Sequence, residues 1–147
     1  AFSYVPQGNT VFAGTIADNL RMVRPEATDA ELIAALETAC AYDFVRQLPD
    51  GIYARTGELG HGLSEGQAQR IAVARAVLRG ASVLLLDEAT IALDEATEQR
   101  MLENLMHSGR VQTCVLITHR AATAERCPRR YTLRGTRLTE ETAACAS

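Results

Sequence analysis

Apolar residues recur along the chain at two spacings, one typical of helices and one typical of buried strands. Between Ser64 and Arg79 they recur at helical spacing, and Gln67 stands three residues after Ser64, as in a capping box. A helix is therefore predicted from this serine to about Arg79, with Gly80 as its stop. The next apolar run, residues 83–86, is short and continuous, which predicts a strand buried on both faces. A helix that leads into such a strand is typical of an α/β protein.

The same patterns predict elements on both sides of this pair. Thr28 and Glu31 form a second capping box, and Asp94 can cap another helix. Residues 112–118 are rich in β-branched side chains and alternate little, which predicts another buried strand. The remaining predictions are a strand at 2–5, helices at 29–41, 43–48, 95–107 and 121–126, a hairpin at 131–134 and 137–139, and a helical or frayed tail at 140–147.

The composition indicates a globular protein and excludes several kinds of site. The 147 residues are 47% hydrophobic and 22% charged, and a net charge of −3 gives no sign of a nucleic-acid partner. All 15 basic residues are arginine, so a phosphate-binding P-loop, which needs a lysine, cannot lie within this chain. No apolar run approaches the ~20 residues of a membrane span. The four cysteines fit no metal-binding spacing, and we expect them to be reduced.

Two candidate binding features lie at the ends of the predicted helix and strand. The first helical turn after Ser64 presents free backbone N–H groups, and Gly66 has no side chain to block an approaching phosphate. The strand ends in Asp87 and Glu88, at the edge where open α/β sheets bind their ligands. Each feature alone is ordinary, because a capping box usually only starts a helix and acidic residues often begin a solvated loop. Together they favour a phosphate site and a Mg²⁺ site.

This combination resembles the ATP-binding cassette (ABC) ATPases. The similar motifs are the signature LSGGQ at Leu63, Ser64, Glu65, Gly66 and Gln67, the Walker B strand at 83–88, the D-loop at 91–94, the Q-loop at 4–7, the X-loop at 56–58 and the H-loop at 117–120. Residues 11–20 resemble the exporter stretch that receives the coupling helices of a membrane domain, although its apolar side chains fit an ordinary core equally well. Two residues depart from the pattern: Glu65 replaces a glycine and Ile91 replaces a serine.

The resemblance implies a helix-rich α/β fold, with part of a P-loop NTPase (RecA-like) parallel-sheet core and an ABC helical subdomain. Residues 1–9 would carry the Q-loop strand of the core, and 10–79 the helical subdomain with the signature. Residues 80–147 would form the C-terminal part of the core, with Walker B, D-loop and H-loop. The P-loop and the adenine-stacking aromatic residue would precede Ala1. Because the chain does not begin with Met, we expect a piece of a longer protein.

The resemblance also implies a role for each motif residue. Glu88 would activate the attacking water, Asp87 would hold Mg²⁺, Gln7 would help to position both, and His119 would donate to the γ-phosphate. The signature residues at the helix start would bind the γ-phosphate held by the opposite subunit, and Asp94 would cross the dimer interface. Because backbone N–H groups do the binding, we expect Glu65 to weaken this contact without abolishing it. Ile91 removes a hydroxyl from the D-loop.

The function implied is that of the ATP-hydrolysing subunit or domain of a membrane exporter, with ATP and Mg²⁺ as its cofactors. Its partners would be a transmembrane domain, fused or separate, and a second nucleotide-binding domain in a head-to-tail dimer at the cytoplasmic face of the cell membrane. The chain on its own is expected to be inactive. Two alternatives remain open: an ABC-type ATPase not attached to a membrane domain, and a non-enzymatic ABC-like interaction module.

Overall fold

The computed structural model describes residues 2–8, 10–57 and 62–141, and the chain divides into two compact units, Ala1–Ile117 and Thr118–Ser147. The first unit contains most of the regular elements. In chain order these are β1 (Phe2–Val5), β2 (Gly14–Thr15), α1 (Ile16–Arg21), α2 (Asp29–Thr38), α3 (Tyr42–Val45), a 3-10 helix (Gly51–Tyr53), β3 (Arg55–Thr56), α4 (Glu65–Leu78), β4 (Val83–Asp87), α5 (Glu95–His107) and β5 (Thr113–Ile117).

Three strands of the first unit form a parallel sheet in the order β1-β4-β5. In its register Val5 lies beside Leu86, and Leu86 lies beside Leu116. Parallel strands run toward the same edge of a sheet, so the residues that follow β1 and β4 leave it side by side. The predicted α/β class with a parallel sheet is confirmed.

The two faces of this sheet differ in burial. Leu86 is 0% exposed and belongs to the hydrophobic core, whereas Val115 and Ile117 are 47% and 45% exposed on the opposite face. The prediction that residues 112–118 are buried on both faces is therefore wrong. In β4, Leu84 and Leu86 are buried and Val83 and Leu85 are half-buried, so the predicted burial is complete on one face and partial on the other. Both faces of an apolar strand are buried only when a layer of structure packs on each side of the sheet. Among the described residues, the helices cover the Leu86 face.

Helix α4 lies at the centre of the core. Its buried residues point in all directions around the helix axis and include Ala68, Ile71, Val73 and Ala74. A helix that is apolar on every side must be packed on every side, and α1, α2 and β1 all pack against it. The start of α4 is thereby held by several elements at once.

Both predicted capping boxes are present. The amide of Glu31 donates to Thr28 Oγ1 at 3.3 Å, and the amide of Thr28 donates to Glu31 Oε2 at 2.9 Å. Thr15 and Asp18 form a further capping box that starts α1 and was not predicted. Each box satisfies two backbone N–H groups that a helix start leaves open, so the helix starts follow from residues only three positions apart.

Two predicted helices end earlier than expected. Helix α2 ends at Thr38 and not at residue 41, because Cys40 adopts the left-handed conformation with φ of 55°. The amide of Ala41 then donates back to Leu36 O at 2.7 Å and closes the helix end. Helix α3 ends at Val45 and not at residue 48. The predicted helix at 95–107 is confirmed as α5.

The second unit contains helix α6 (Ala121–Glu125) and an antiparallel hairpin of β6 (Arg130–Arg134) and β7 (Arg137–Glu141). Gly135, with φ of 60°, takes the turn conformation that glycine adopts readily, so the predicted hairpin is confirmed. Because β7 extends to Glu141, the predicted helical tail does not begin at residue 140; residues 142–147 lie outside the described residues. Within the described ranges, none of the helices has both the length and the apolar character of a bilayer span.

Candidate functional site

The start of α4 forms an exposed turn with its cap in place. Ser64 lies in the extended conformation, its Oγ accepts from the amide of Gln67 at 3.1 Å, and its own amide donates to Gln67 Oε1 at 3.0 Å. The cap thus satisfies the amide of Gln67, and the amides of Glu65 and Gly66 are the first-turn donors that a helix start leaves without an intrahelical partner. Ser64 and Glu65 are exposed, and Leu63 before them packs on the core. The arrangement can bind a phosphate oxygen through backbone N–H groups.

Gly66 is buried, and its lack of a side chain serves protein packing. A Cβ at this position would lie 2.9 Å from Ala92 O and 3.3 Å from Leu93 Cδ2. The first distance is shorter than side-chain carbons adopt, and its partner is backbone, which cannot rotate away. The sequence suggested that glycine opens the site to phosphate; the structure shows that it lets residues 91–94 approach the helix.

The segment at residues 91–94 lies between α4 and α5. The amide of Ala92 donates to Gln69 Oε1 at 3.3 Å, and the amide of Leu93 donates to Thr90 O at 3.0 Å. Asp94 caps α5, since its Oδ2 accepts from the amide of Thr97 at 3.3 Å. Hydrogen bonds from the side chain and backbone of Thr97 lower the pKa of Asp94. Asp94 therefore lies at a defined, exposed helix start, as predicted from its capping chemistry.

The two carboxylates lie where β4 ends. Asp87 is the last residue of the strand and Glu88 follows it, with its amide donating to Ile117 O at 3.0 Å. Glu88 has φ of 50°, a left-handed conformation that costs a non-glycine residue on the order of 1 kcal/mol or more. Such strain is concentrated at functional sites. The turn directs the chain, and with it the Glu88 side chain, out of the strand.

Tyr4 orients the first of these carboxylates. Its hydroxyl donates to Asp87 Oδ2 at 3.0 Å across the sheet. The hydrogen bond to the carboxylate raises the pKa of Tyr4 above its ordinary value of 10.0. Sequence reasoning missed this residue. The available signal was the pairing of two parallel strands, which places Tyr4 beside Leu85, two residues before Asp87.

Gln7 and His119 lie beyond the ends of two other strands. Gln7 is an exposed loop residue two positions after Val5, and Val5 pairs with Leu86, so Gln7 and Glu88 leave the same edge of the sheet. His119 follows β5 by one intervening residue and belongs to the second unit. The catalytic roles assigned to both residues stay predictions.

The donor atoms at this edge suit Mg²⁺ bound together with a phosphate. Asp87 and Gln7 offer carboxylate and amide oxygens, the ligand type that Mg²⁺ prefers. Within the described part of the chain, no cluster of three or more His, Cys, Asp or Glu side chains could hold a metal ion alone. Mg²⁺ in proteins keeps several waters and takes one or two carboxylates together with substrate phosphates.

Comparison with known protein families finds a match over residues 1–91, which include the start of α4 and the end of β4. Residues 1–91 match the family described as ABC transporter. The chain is 44% identical over 119 residues to the Heavy metal tolerance protein of Schizosaccharomyces pombe, covering 81% of the chain and 14% of that protein. It is 41% identical over 142 residues to the ATP-dependent lipid A-core flippase of Legionella pneumophila strain Lens, covering 95% of the chain and 24% of that protein.

The fold matches a solved structure as well. Superposition on a bacterial Atm1-family ABC exporter with ATP bound gives a TM-score of 0.89 at 36% identity, over 97% of this chain and 25% of that one. The chain spans between 14% and 24% of the length of the curated relatives it matches.

Proposed function

Because the chain belongs to the ABC transporter family, we propose that it forms part of the nucleotide-binding domain of a membrane exporter, which couples ATP hydrolysis to transport. One observation carries the proposal. A capped helix start with open N–H groups and a strand ending in Asp87 and a strained Glu88 are joined by one segment, residues 91–94, that packs on the helix start. A helix cap alone or a carboxylate pair alone would not need this connection.

The carboxylate half of the site performs the water chemistry. Glu88 accepts a proton from the attacking water, and its left-handed backbone holds it at the end of the strand. Asp87, oriented by Tyr4, would supply an oxygen to Mg²⁺, and the Gln7 amide at the same edge would help to hold the ion and orient the water. The ion held by these residues would neutralise charge on the phosphates. His119 donates a hydrogen bond to the γ-phosphate.

The helix-start half serves the nucleotide of a second nucleotide-binding domain. In the proposed dimer, the N–H groups of Glu65 and Gly66 act on the γ-phosphate of a nucleotide that is held by the P-loop of the second nucleotide-binding domain. Because this chain has no lysine, it contains no P-loop of its own. Ser64 and Glu65 are exposed and accessible to such a partner. The Glu65 carboxylate beside this turn repels phosphate and weakens the contact. In this head-to-tail arrangement Asp94 lies at the interface, and the chain alone neither binds ATP tightly nor hydrolyses it.

The transmembrane domain, fused or separate, contacts residues 11–20 from the cytoplasmic side of the membrane. Within this stretch Val11, Ile16 and Leu20 are buried, whereas Phe12 is 52% exposed. The Arg75 guanidinium lies 5.4 Å from the centre of the Phe12 ring. Phe12 is therefore a preoriented apolar contact for a partner helix. The three buried residues belong to the core, as the ordinary reading of the pattern predicted.

The proposal is tested by replacing Glu88 with Gln in the full-length protein. This change removes the base and keeps the phosphate contacts, so ATP turnover should fall roughly 10²-fold or more while ATP binding is retained. The measurement is steady-state ATPase activity together with nucleotide binding. Glu37→Gln makes the same chemical change on an exposed position of α2 and should leave turnover unchanged. Turnover within threefold of wild type in Glu88→Gln would contradict the assignment.

A further inference from the structure

We infer that Gln69 is a positioning residue: it fixes residues 91–94 to the start of α4, so that the phosphate-binding turn and the interface segment move as one body. The inference deepens the proposed function, because it gives that site a device that links its two halves within one chain. Gln69 does not touch the nucleotide. It acts through the backbone of Ala92.

The contact is specific to the backbone of a single residue. Gln69 is 1% exposed, and its Oε1 accepts from Ala92 N at 3.3 Å. Gly66 lies three positions earlier on the same side of α4, one turn of helix away, and packs on Ala92 O. Both polar backbone atoms of Ala92 therefore face the first turns of α4. Because an amide donates to it, the contacting atom of the Gln69 side chain is its oxygen.

The other neighbours of this segment prevent an alternative position. Leu93 is 4% exposed and approaches the Gly66 site, and Asp94 is bound to α5 as its cap. Residues 91–94 are thus attached on one side to α4 and on the other to α5. Sliding the segment along α4 would break the Gln69 bond and the α5 cap together.

The rest of the Gln69 side chain indicates that this bond is the reason for a polar residue here. Its Nε2 is buried and has no hydrogen-bond partner among the described residues. A buried, unsatisfied donor is unfavourable, and an apolar side chain of similar size would avoid that penalty. Gln69 also stands in a helix whose other buried residues are mostly aliphatic. Packing alone therefore favours Leu or Met, and the acceptor oxygen is what glutamine adds.

The test compares three variants of the full chain by amide hydrogen exchange at Ala92, with Leu86 in β4 as the internal reference. Gln69→Met removes the acceptor and keeps the volume, so exchange at Ala92 should accelerate roughly fivefold relative to Leu86. Gln69→Glu keeps an acceptor oxygen; burying its carboxyl lowers the stability of the whole unit, but the exchange of Ala92 relative to Leu86 should stay as in wild type. Val77→Ala, about 12 Å further along α4, weakens the same helix and should change both amides alike. Equal acceleration at Ala92 in Gln69→Met and Val77→Ala would overturn the inference.

A second measurement separates positioning from simple stability in the full-length transporter. Gln69→Met should lower kcat for ATP hydrolysis by at least threefold with an unchanged KM for ATP, and Gln69→Glu should restore part of it. Unchanged kcat despite faster exchange at Ala92 would overturn the functional half of the inference. Failure of the proposed function has a different signature: the wild-type protein, with Ala92 protected, would then show no ATPase activity at all.

Discussion

The helix start at Ser64 and the strand end at Asp87 form the two halves of the candidate site, and interactions of different range hold them. The cap at Ser64 is closed by Gln67, three residues away. Asp87 is oriented by Tyr4, which is 83 residues distant in sequence, and Glu88 is bonded to Ile117 on another strand. The first half forms when one helix forms. The second half requires that three strands have paired in register.

Gly66 shows where this contrast breaks down. It belongs to the locally formed half, yet its neighbour Ala92 is far away in the sequence. Gly66 and Gln69 both contact Ala92, in the segment that follows the two carboxylates. The position of the helix start therefore also depends on residues far away in the sequence. The two halves differ in how they form and share one connection once they are formed.

The largest expected effect on the free energy of unfolding comes from Gly66→Ala, which disturbs the contact between α4 and residues 91–94. Alanine should stabilise a helix interior by about 1 kcal/mol relative to glycine. Here the added Cβ would meet Ala92 O at 2.9 Å, and overpacking costs about 1–3 kcal/mol. We therefore expect a net loss of up to about 2 kcal/mol in the free energy of unfolding, measured by urea denaturation.

The neighbouring variant Glu65→Ala is the matched control, because it adds the same residue to an exposed position of the same turn. Its free energy of unfolding should stay within about 0.5 kcal/mol of wild type. If Gly66→Ala stabilised the protein, helix propensity would dominate and the close approach of residues 91–94 would not constrain this position.

The next effect, Ser64→Ala, tests the local half alone. Removal of the cap leaves the Gln67 amide without its acceptor and should cost about 1 kcal/mol of stability. Ser64→Asn keeps a capping oxygen and should change the free energy of unfolding by only about 0.3 kcal/mol. Both values come from thermal or urea unfolding of the chain. An equal loss in the two variants would show that packing at this position, and not the cap, determines stability.

The smallest effect concerns the carboxylate half of the site and is measured by titration of Tyr4. The hydrogen bond to Asp87 raises the pKa of Tyr4, so the difference in tyrosine absorbance between wild type and Tyr4→Phe should show ionisation above pH 10.0. A raised folded-state pKa means that the bond contributes stability below the ordinary tyrosine pKa. This contribution is lost as the pH rises through the raised value.

Asp87→Ala supplies the control for the titration, because it removes the acceptor and should return Tyr4 toward its ordinary pKa. A Tyr4 that titrates at its ordinary pKa in the wild-type chain would mean that the hydroxyl does not orient Asp87. In that case the carboxylate half would depend on β4 alone, and the contrast in range between the two halves would be smaller.

The sequence by itself determined the features that depend on neighbouring residues. The capping boxes at Thr28 and Ser64, helix α5, strand β1 and the hairpin around Gly135 follow from side chains within about four positions of one another. The family resemblance also came from short motifs, above all the signature at residues 63–67 and the strand ending in Asp87 and Glu88. These motifs consist of neighbouring residues, so they can be recognised from the sequence without the fold.

Tertiary structure decided everything that depends on residues far apart in the chain. The unequal burial of the two faces of β4 and β5, the left-handed turn at Glu88, the bond from Tyr4 to Asp87 and the attachment of Ala92 to Gly66 and Gln69 are all of this kind. An apolar run in the sequence shows that a strand can be buried, and the packed layers decide which of its faces is. The sequence places a glutamine at position 69 of the predicted helix, but its burial and its partner became identifiable only when the fold placed residue 92 against it.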